Sequence, residues 1–97
     1  MVKIKGADIN PEKVAPRCAA KYLKPVAKLS NIDLERIGDR KNNILLDLLR
    51  CQVKVEKSCK PRQRSYELCH ASVMGTGNFE GRKDCGKELE SLFQCAL

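Results

Sequence analysis

The 97-residue chain contains no Trp, and its aromatic residues are limited to two Tyr and two Phe. A small chain with so few large side chains can bury only a thin apolar core, so crosslinks are expected to supply part of its stability. No stretch approaches the roughly 18 apolar residues of a membrane-spanning helix. The chain also lacks closely spaced cysteine pairs of the kind that bind zinc. We therefore expect neither a membrane span nor a metal site.

Six cysteines are the most informative residues that are present. Nine residues separate Cys59 from Cys69, and nine residues separate Cys85 from Cys95. Ten residues of helix advance about 15 Å and return to nearly the same side. Two such helices laid antiparallel place Cys59 opposite Cys95 and Cys69 opposite Cys85. The spacing therefore predicts two disulfides that join two helices.

The residues between these cysteines have the periodicity of helices. Pro61 suits the start of a helix, and Tyr66, Cys69 and Val73 follow at helical spacing. A turn sequence at 75–78 interrupts this pattern, and a second apolar stripe follows it. That stripe consists of Cys85, Leu89, Leu92 and Ala96. The fifteen residues between the inner cysteines predict an extended loop.

Residues 59–97, with the run C-KPRQRSYEL-C and then C-GKELESLFQ-C, resemble a twin C-x9-C (CHCH) domain. The resemblance implies an all-α fold built on a disulfide-stapled antiparallel helical hairpin. It also implies a mitochondrial protein that is oxidised on import. The resemblance identifies a fold and an import route, but it does not identify a function. Because the sequence shows no active site, we expect a non-enzymatic structural component of a larger mitochondrial assembly, with protein partners and no small-molecule substrate.

Residues 1–30 form a basic segment that carries +5 of the formal net charge of +7. Pro11, Pro16 and Pro25 predict an extended arm, with one or two helical turns around Arg17–Lys24. Such an arm can bind RNA phosphates. Alternatively, it is a solvated flexible tail or lies on an acidic protein surface, and we weigh this equally with RNA. In a respiratory-chain complex it would lie on another subunit or on anionic lipid headgroups. The candidate binding residues are Lys3, Lys5, Lys13, Arg17, Lys21, Lys24 and Lys28.

Residues 31–58 predict an amphipathic helix over 32–57, with Ser30 as its N-cap and Asp33 in its first turn. Ile37 belongs to its apolar stripe, and Gly38-Asp39 or Asn42-Asn43 divides it. The helix either covers the hairpin as part of the core or docks on a partner subunit. The candidate docking residues are Ile44, Leu45, Leu48 and Leu49.

Cys18 and Cys51 cannot be paired from the sequence. Cys51 lies on an apolar stripe and is expected to be a buried free thiol, with a bridge to Cys18 as the alternative. His70 adjoins Cys69, but an oxidised Cys69 offers no thiolate for catalysis. We expect no active site and no cofactor.

Two functions remain open. The charge of the arm favours a protein of the mitochondrial small ribosomal subunit whose arm contacts rRNA, in the matrix. The alternative is an accessory subunit or assembly factor of a respiratory-chain complex, in the intermembrane space or at the periphery of the inner membrane.

Overall fold

The computed structural model describes residues 3–36 and 39–97, and most of them lie in four helices. Ile37 and Gly38 fall within the helix that the sequence predicts over 32–57, and they lie outside the described residues. Helix α1 covers 16–27 as Pro16–Cys18, Ala19–Leu23 and Lys24–Ala27. Helices α2, α3 and α4 cover Arg40–Val55, Lys60–Thr76 and Gly86–Ala96.

A small antiparallel sheet corrects the all-α prediction. Its strands are β1, Lys3–Ile4, and β2, Ile32–Asp33, with Lys3 opposite Asp33 and Ile4 opposite Ile32. The strand β2 occupies the residues that were predicted to begin the second helix. That helix begins instead after Asp39, whose side chain accepts a 2.8 Å hydrogen bond from the Lys41 N–H and caps the first turn.

The N-terminal segment is folded, so the prediction of an extended arm is wrong apart from the turns expected near Arg17–Lys24. Short 3-10 turns at Gly6–Asp8 and Pro11–Lys13 lead into α1. Pro16 occupies its first turn, where the missing N–H costs nothing. Farther along, Pro25 cannot donate to a carbonyl one turn earlier, and the preceding residues, Ala19–Leu23, have π-helical geometry.

Buried apolar side chains explain why this segment folds. Val14 is 6% exposed, and Cys18 and Val26 are fully buried. Gly6 fastens the N-terminal residues to the end of α1, since its N–H donates to the Leu29 carbonyl at 2.9 Å. A side chain at Gly6 would overlap the Val26 carbonyl oxygen, so this approach requires glycine.

Helix α2 lies between α1 and the two C-terminal helices and fills the centre of the core. Leu45, Leu48 and Leu49 are completely buried, and Ile44 is half-buried. Of the two interpretations of this helix, the one that places it in the core of its own chain therefore holds for three of the four candidate docking residues. A partner could reach only Ile44 among them.

Helices α3 and α4 are joined by the disulfides Cys59–Cys95 and Cys69–Cys85, with Cα–Cα distances of 5.9 and 6.0 Å. Both pairings agree with the spacing argument. The apolar stripes meet as expected, with Tyr66 on α3 and Leu89 and Leu92 on α4 buried.

The connection between α3 and α4 is more ordered than an extended loop. Helix α3 continues to Thr76, and a tight turn at 79–82 follows, closed by hydrogen bonds of 2.8 and 3.0 Å between Phe79 and Arg82. Glu80 and Gly81 at its centre have φ values of 53° and 82°. Positive φ at both central positions is typical of a type I′ turn.

Gln52 is a polar residue inside this core, 4% exposed. Its Nε2 donates to the carbonyls of Lys13 and Ala96 at 3.1 and 3.0 Å, and its Oε1 accepts from the Ala15 N–H at 2.8 Å. One side chain on α2 thus binds the segment before α1 and the end of α4. Among the described residues, no helix is long and apolar enough to cross a membrane.

Candidate nucleic-acid interface

Four of the seven candidate cations of the N-terminal segment lie on α1 or directly after it. Arg17, Lys21 and Lys24 are on the helix, Lys28 follows its last residue, and all four are exposed and line the groove between α1 and α2. Cys18 and Val26 of the same helix are buried in the core.

The remaining three candidates lie elsewhere. Lys3 is in β1, Lys5 follows it, and Lys13 ends a 3-10 turn. All three are exposed, but none lines the groove between α1 and α2. The seven candidate cations, predicted to lie on one binding arm, are therefore in two groups: four line the groove and three do not.

Helix α2 supplies cations that the sequence reasoning did not single out. Two depressions follow one another along the groove between α1 and α2, with volumes of about 680 and 590 Å³. Beside the α1 cations they are lined by Arg40, Lys41, Arg50 and Lys54 from α2. The i, i+4 spacing of Arg50 and Lys54 is visible in the sequence and indicates that they share one side of a helix. The sequence did not predict that α1 lies beside that helix. We call these eight cations the basic face.

The basic face has little internal compensation of charge. In the part of the chain that the structure describes, two carboxylates, Asp39 and Asp47, line the same depressions. Arg50 pairs with Glu67 on α3 at 3.0 Å, and the Lys41 Nζ donates to the Ser30 carbonyl at 2.7 Å. Within residues 3–36 and 39–97, no ion pair engages the other six, which are Arg17, Lys21, Lys24, Lys28, Arg40 and Lys54. Their charges face solvent.

A third disulfide, Cys18–Cys51, holds the two helices of the basic face together with a Cα–Cα distance of 5.7 Å. The expectation that Cys51 is a free thiol is therefore wrong, and the alternative bridge is the one that forms. Its cause is the folding of α1, which brings Cys18 against α2. By loop entropy, a crosslink of this span stabilises the chain by about 4 kcal/mol.

A second cluster of potential ligands is already occupied by bonds within the protein. Cys69, Cys85 and Glu88 lie close enough together to hold a metal ion. Both sulfurs, however, belong to one disulfide, and the Glu88 carboxylate accepts from the Arg82 guanidinium at 2.9 and 2.6 Å. This bidentate hydrogen bonding lowers the pKa of Glu88. The cluster therefore stabilises the turn before α4.

The cysteine beside His70 is not a free nucleophile. Cys69 is oxidised, and the nearest aromatic contact of His70 is with Tyr66, at 5.8 Å between ring centroids. A Cys–His pair needs a thiolate, which this disulfide removes. His70 is thus a half-buried residue of α3 that lies beside Tyr66, one turn earlier in the same helix.

Burial raises the pKa of Tyr66 to about 12, and the negative charge of Glu67 acts in the same direction. Because the pKa is higher in the folded protein than the ordinary value near 10, the stabilisation is complete below pH 10 and is lost as the pH rises toward 12. We expect an alkaline loss of roughly 2–3 kcal/mol. Urea unfolding at a series of pH values measures it, and Tyr66→Phe should lack this part of the loss.

The Tyr22→Phe variant gives a direct test, because it leaves Tyr66 as the only tyrosine. Tyrosinate absorbance recorded immediately after a pH jump, before unfolding, should then rise with a midpoint near pH 12. A midpoint near 10 would contradict the burial argument.

Comparison with models of protein families, with curated proteins and with solved structures found no match to this chain.

Proposed function

We propose that this chain is a non-enzymatic structural subunit of a mitochondrial assembly, and that it binds RNA phosphates along its basic face. The observation that carries the proposal is the basic face itself, in which six cations without ion pairs among the described residues line one groove. Phosphate contacts of this kind position a protein on RNA without reading its sequence. The assembly that fits best is the small ribosomal subunit.

The C-terminal helices support the mitochondrial part of the proposal. They carry two equally spaced cysteine pairs, linked as Cys59–Cys95 and Cys69–Cys85, as in an antiparallel CHCH hairpin. Disulfides persist in oxidising compartments and are rare in the cytosol. The import route expected for a twin C-x9-C protein supplies such a compartment.

A second candidate function has its own support on the outer side of α3. Leu68 and Met74 are 59% and 64% exposed, although both are large apolar side chains. Contiguous exposed apolar surface marks sites of protein contact, and these two side chains would contribute to such a surface. An accessory subunit or assembly factor of a respiratory-chain complex would use this side, and a ribosomal protein would use it against a neighbouring protein.

The RNA proposal is tested with two variants of equal charge. The first replaces Arg17, Lys21, Lys24 and Lys28 by Gln. The control replaces Lys57, Lys60, Lys83 and Lys87 by Gln, which are equally exposed but lie outside the groove. We expect the first variant to weaken binding to a mixed-sequence RNA and to reduce the slope of log affinity against log salt by about 3. The control should keep nearly the original slope.

Equal losses in both variants would refute the basic face as the binding surface. Sedimentation of mitochondrial lysate then separates the two assemblies. We expect the chain to migrate with the small ribosomal subunit and the first variant to leave it at lower salt. Migration with a membrane complex would replace the ribosomal proposal by the respiratory one.

A further inference from the structure

We infer that the depression around Tyr22 binds an unpaired RNA nucleotide, whose base contacts the Tyr22 ring while the neighbouring phosphates contact the surrounding cations. This inference rests on the RNA-binding function proposed above and adds the kind of RNA that is bound. It concerns the larger of the two depressions of the basic face, about 680 Å³ in volume, which is within the usual range for ligand pockets.

The lining of this depression combines an aromatic side chain with positive charge. Tyr22 is half-buried and packs against the core, with Ala20 and Cys51 beside it. Arg17 and Lys21 line it from α1, and three further residues from α2 complete the lining. The cations from α2 are Arg50 and Lys54, and the single carboxylate is Asp47.

The backbone that carries Tyr22 is unusual. Tyr22 lies in the π-helical stretch Ala19–Leu23, between the Cys18–Cys51 disulfide and Pro25. Single π-helical turns within α-helices occur frequently at functional sites, because they move side chains out of the regular register. Here the disulfide on one side fixes α1 against α2, so Tyr22 and the α2 cations are held together before any ligand binds.

The chemistry of this site fits an unpaired nucleotide better than a regular duplex. Proteins recognise single-stranded loops and bulges by stacking their splayed bases on aromatic rings or Arg planes. A continuous duplex keeps its bases paired and offers only phosphates and a shallow groove, so it would leave Tyr22 unused. The three cations without ion pairs among the described residues, Arg17, Lys21 and Lys54, are placed to contact the phosphates on either side.

Two RNAs test this inference: a short perfect duplex, and the same duplex with one unpaired adenosine. The two RNAs differ in charge only by the phosphate of the added adenosine. We expect the wild-type protein to bind the bulged RNA about tenfold more tightly, as contact of one base with an aromatic ring implies. Tyr22→Phe keeps the ring and should keep the preference. Tyr22→Leu keeps an apolar side chain without the ring and should lose the preference, with duplex affinity unchanged.

Intact mass with three disulfides and an unchanged helical circular dichroism spectrum establish that both variants are folded. In the wild-type protein, the ring signals of Tyr22 in NMR spectra should shift on addition of bulged RNA and remain in place with the duplex. Equal affinity for the two RNAs overturns the inference but leaves RNA binding by the basic face intact. Absence of binding to both RNAs overturns the proposed function as well. Shifts of Tyr22 caused by an acidic peptide, with none caused by bulged RNA, would assign the depression to a protein partner and overturn the inference.

Discussion

Replacing Cys18 and Cys51 together by Ala is expected to lower the free energy of unfolding by about 4 kcal/mol and to loosen α1 from α2. The two cysteines are 33 residues apart, and opening a loop of this length restores a large amount of entropy to the unfolded chain. A domain of this size has roughly 5–10 kcal/mol of stability in total. The loss is therefore a large fraction of the whole.

The Cys59→Ala/Cys95→Ala variant is the control, because its loop does not overlap the first. The Cys69–Cys85 disulfide remains inside this loop and shortens the chain that is released, so the loss should be similar or slightly smaller. Urea denaturation measures the loss of unfolding free energy. Hydrogen exchange should distinguish the two variants, since only the first should lose amide protection in α1. Full protection of α1 without its disulfide would mean that apolar packing alone holds the helix.

The first variant also bears on function. Loosening α1 separates Arg17 and Lys21 from the cations of α2, so the basic face should lose affinity for RNA although no charge has been removed. The control variant should retain that affinity. Because both variants keep every cation, a difference in their RNA affinity reports the effect of cation position alone.

Gln52→Leu is expected to lower the free energy of unfolding by about 2–4 kcal/mol. The substitution removes three hydrogen bonds of a buried side chain. It leaves the Ala15 N–H and the carbonyls of Lys13 and Ala96 without this partner, and each unsatisfied buried group costs about 1–3 kcal/mol. A depression of about 540 Å³ borders these groups, so water can replace some of the lost hydrogen bonds. The expected loss is therefore smaller than the sum of three full penalties.

Gln94→Leu provides the control for this prediction. Gln94 is exposed, and the one hydrogen bond of its side chain within residues 3–36 and 39–97 is the donation from its Nε2 to Glu90 at 3.2 Å. Its replacement should change stability by less than about 0.5 kcal/mol. Urea denaturation of the two variants measures the difference, and similar values would show that Gln52 is dispensable to the core.

The C-terminal disulfides could be predicted because the cysteine spacing within each short segment is enough to indicate the pairing. The equal gaps from Cys59 to Cys69 and from Cys85 to Cys95 fix helical spacing within each segment, and helical geometry then pairs the segments. The stripe that includes Leu89 and Leu92 was predicted for the same reason. The turn at 79–82 was missed because its pairing depends on positive φ at Glu80, which is uncommon for residues other than glycine.

The N-terminal segment could not be predicted because its fold depends on distant partners. Pro25 argued against a helix, yet burial of Val26 and the bond from Cys18 to Cys51 hold a π-containing helix across it. The 4-3-4 spacing of the α1 cations was present in the sequence and would have indicated a helix. Gln52 was also visible, as a polar residue next to the apolar stripe, but its three partners come from segments 37 to 44 positions away.

The arrangement of the three disulfides divides the chain into two closed rings in series, one over 18–51 and one over 59–95. A protease that cuts one peptide bond inside either ring leaves a single covalent molecule. A cut between Gln52 and Ser58 crosses no disulfide and yields two separate fragments on a non-reducing gel. This seven-residue connector lies between the two rings, and no disulfide spans it. Its peptide bonds are therefore all that joins the two rings covalently.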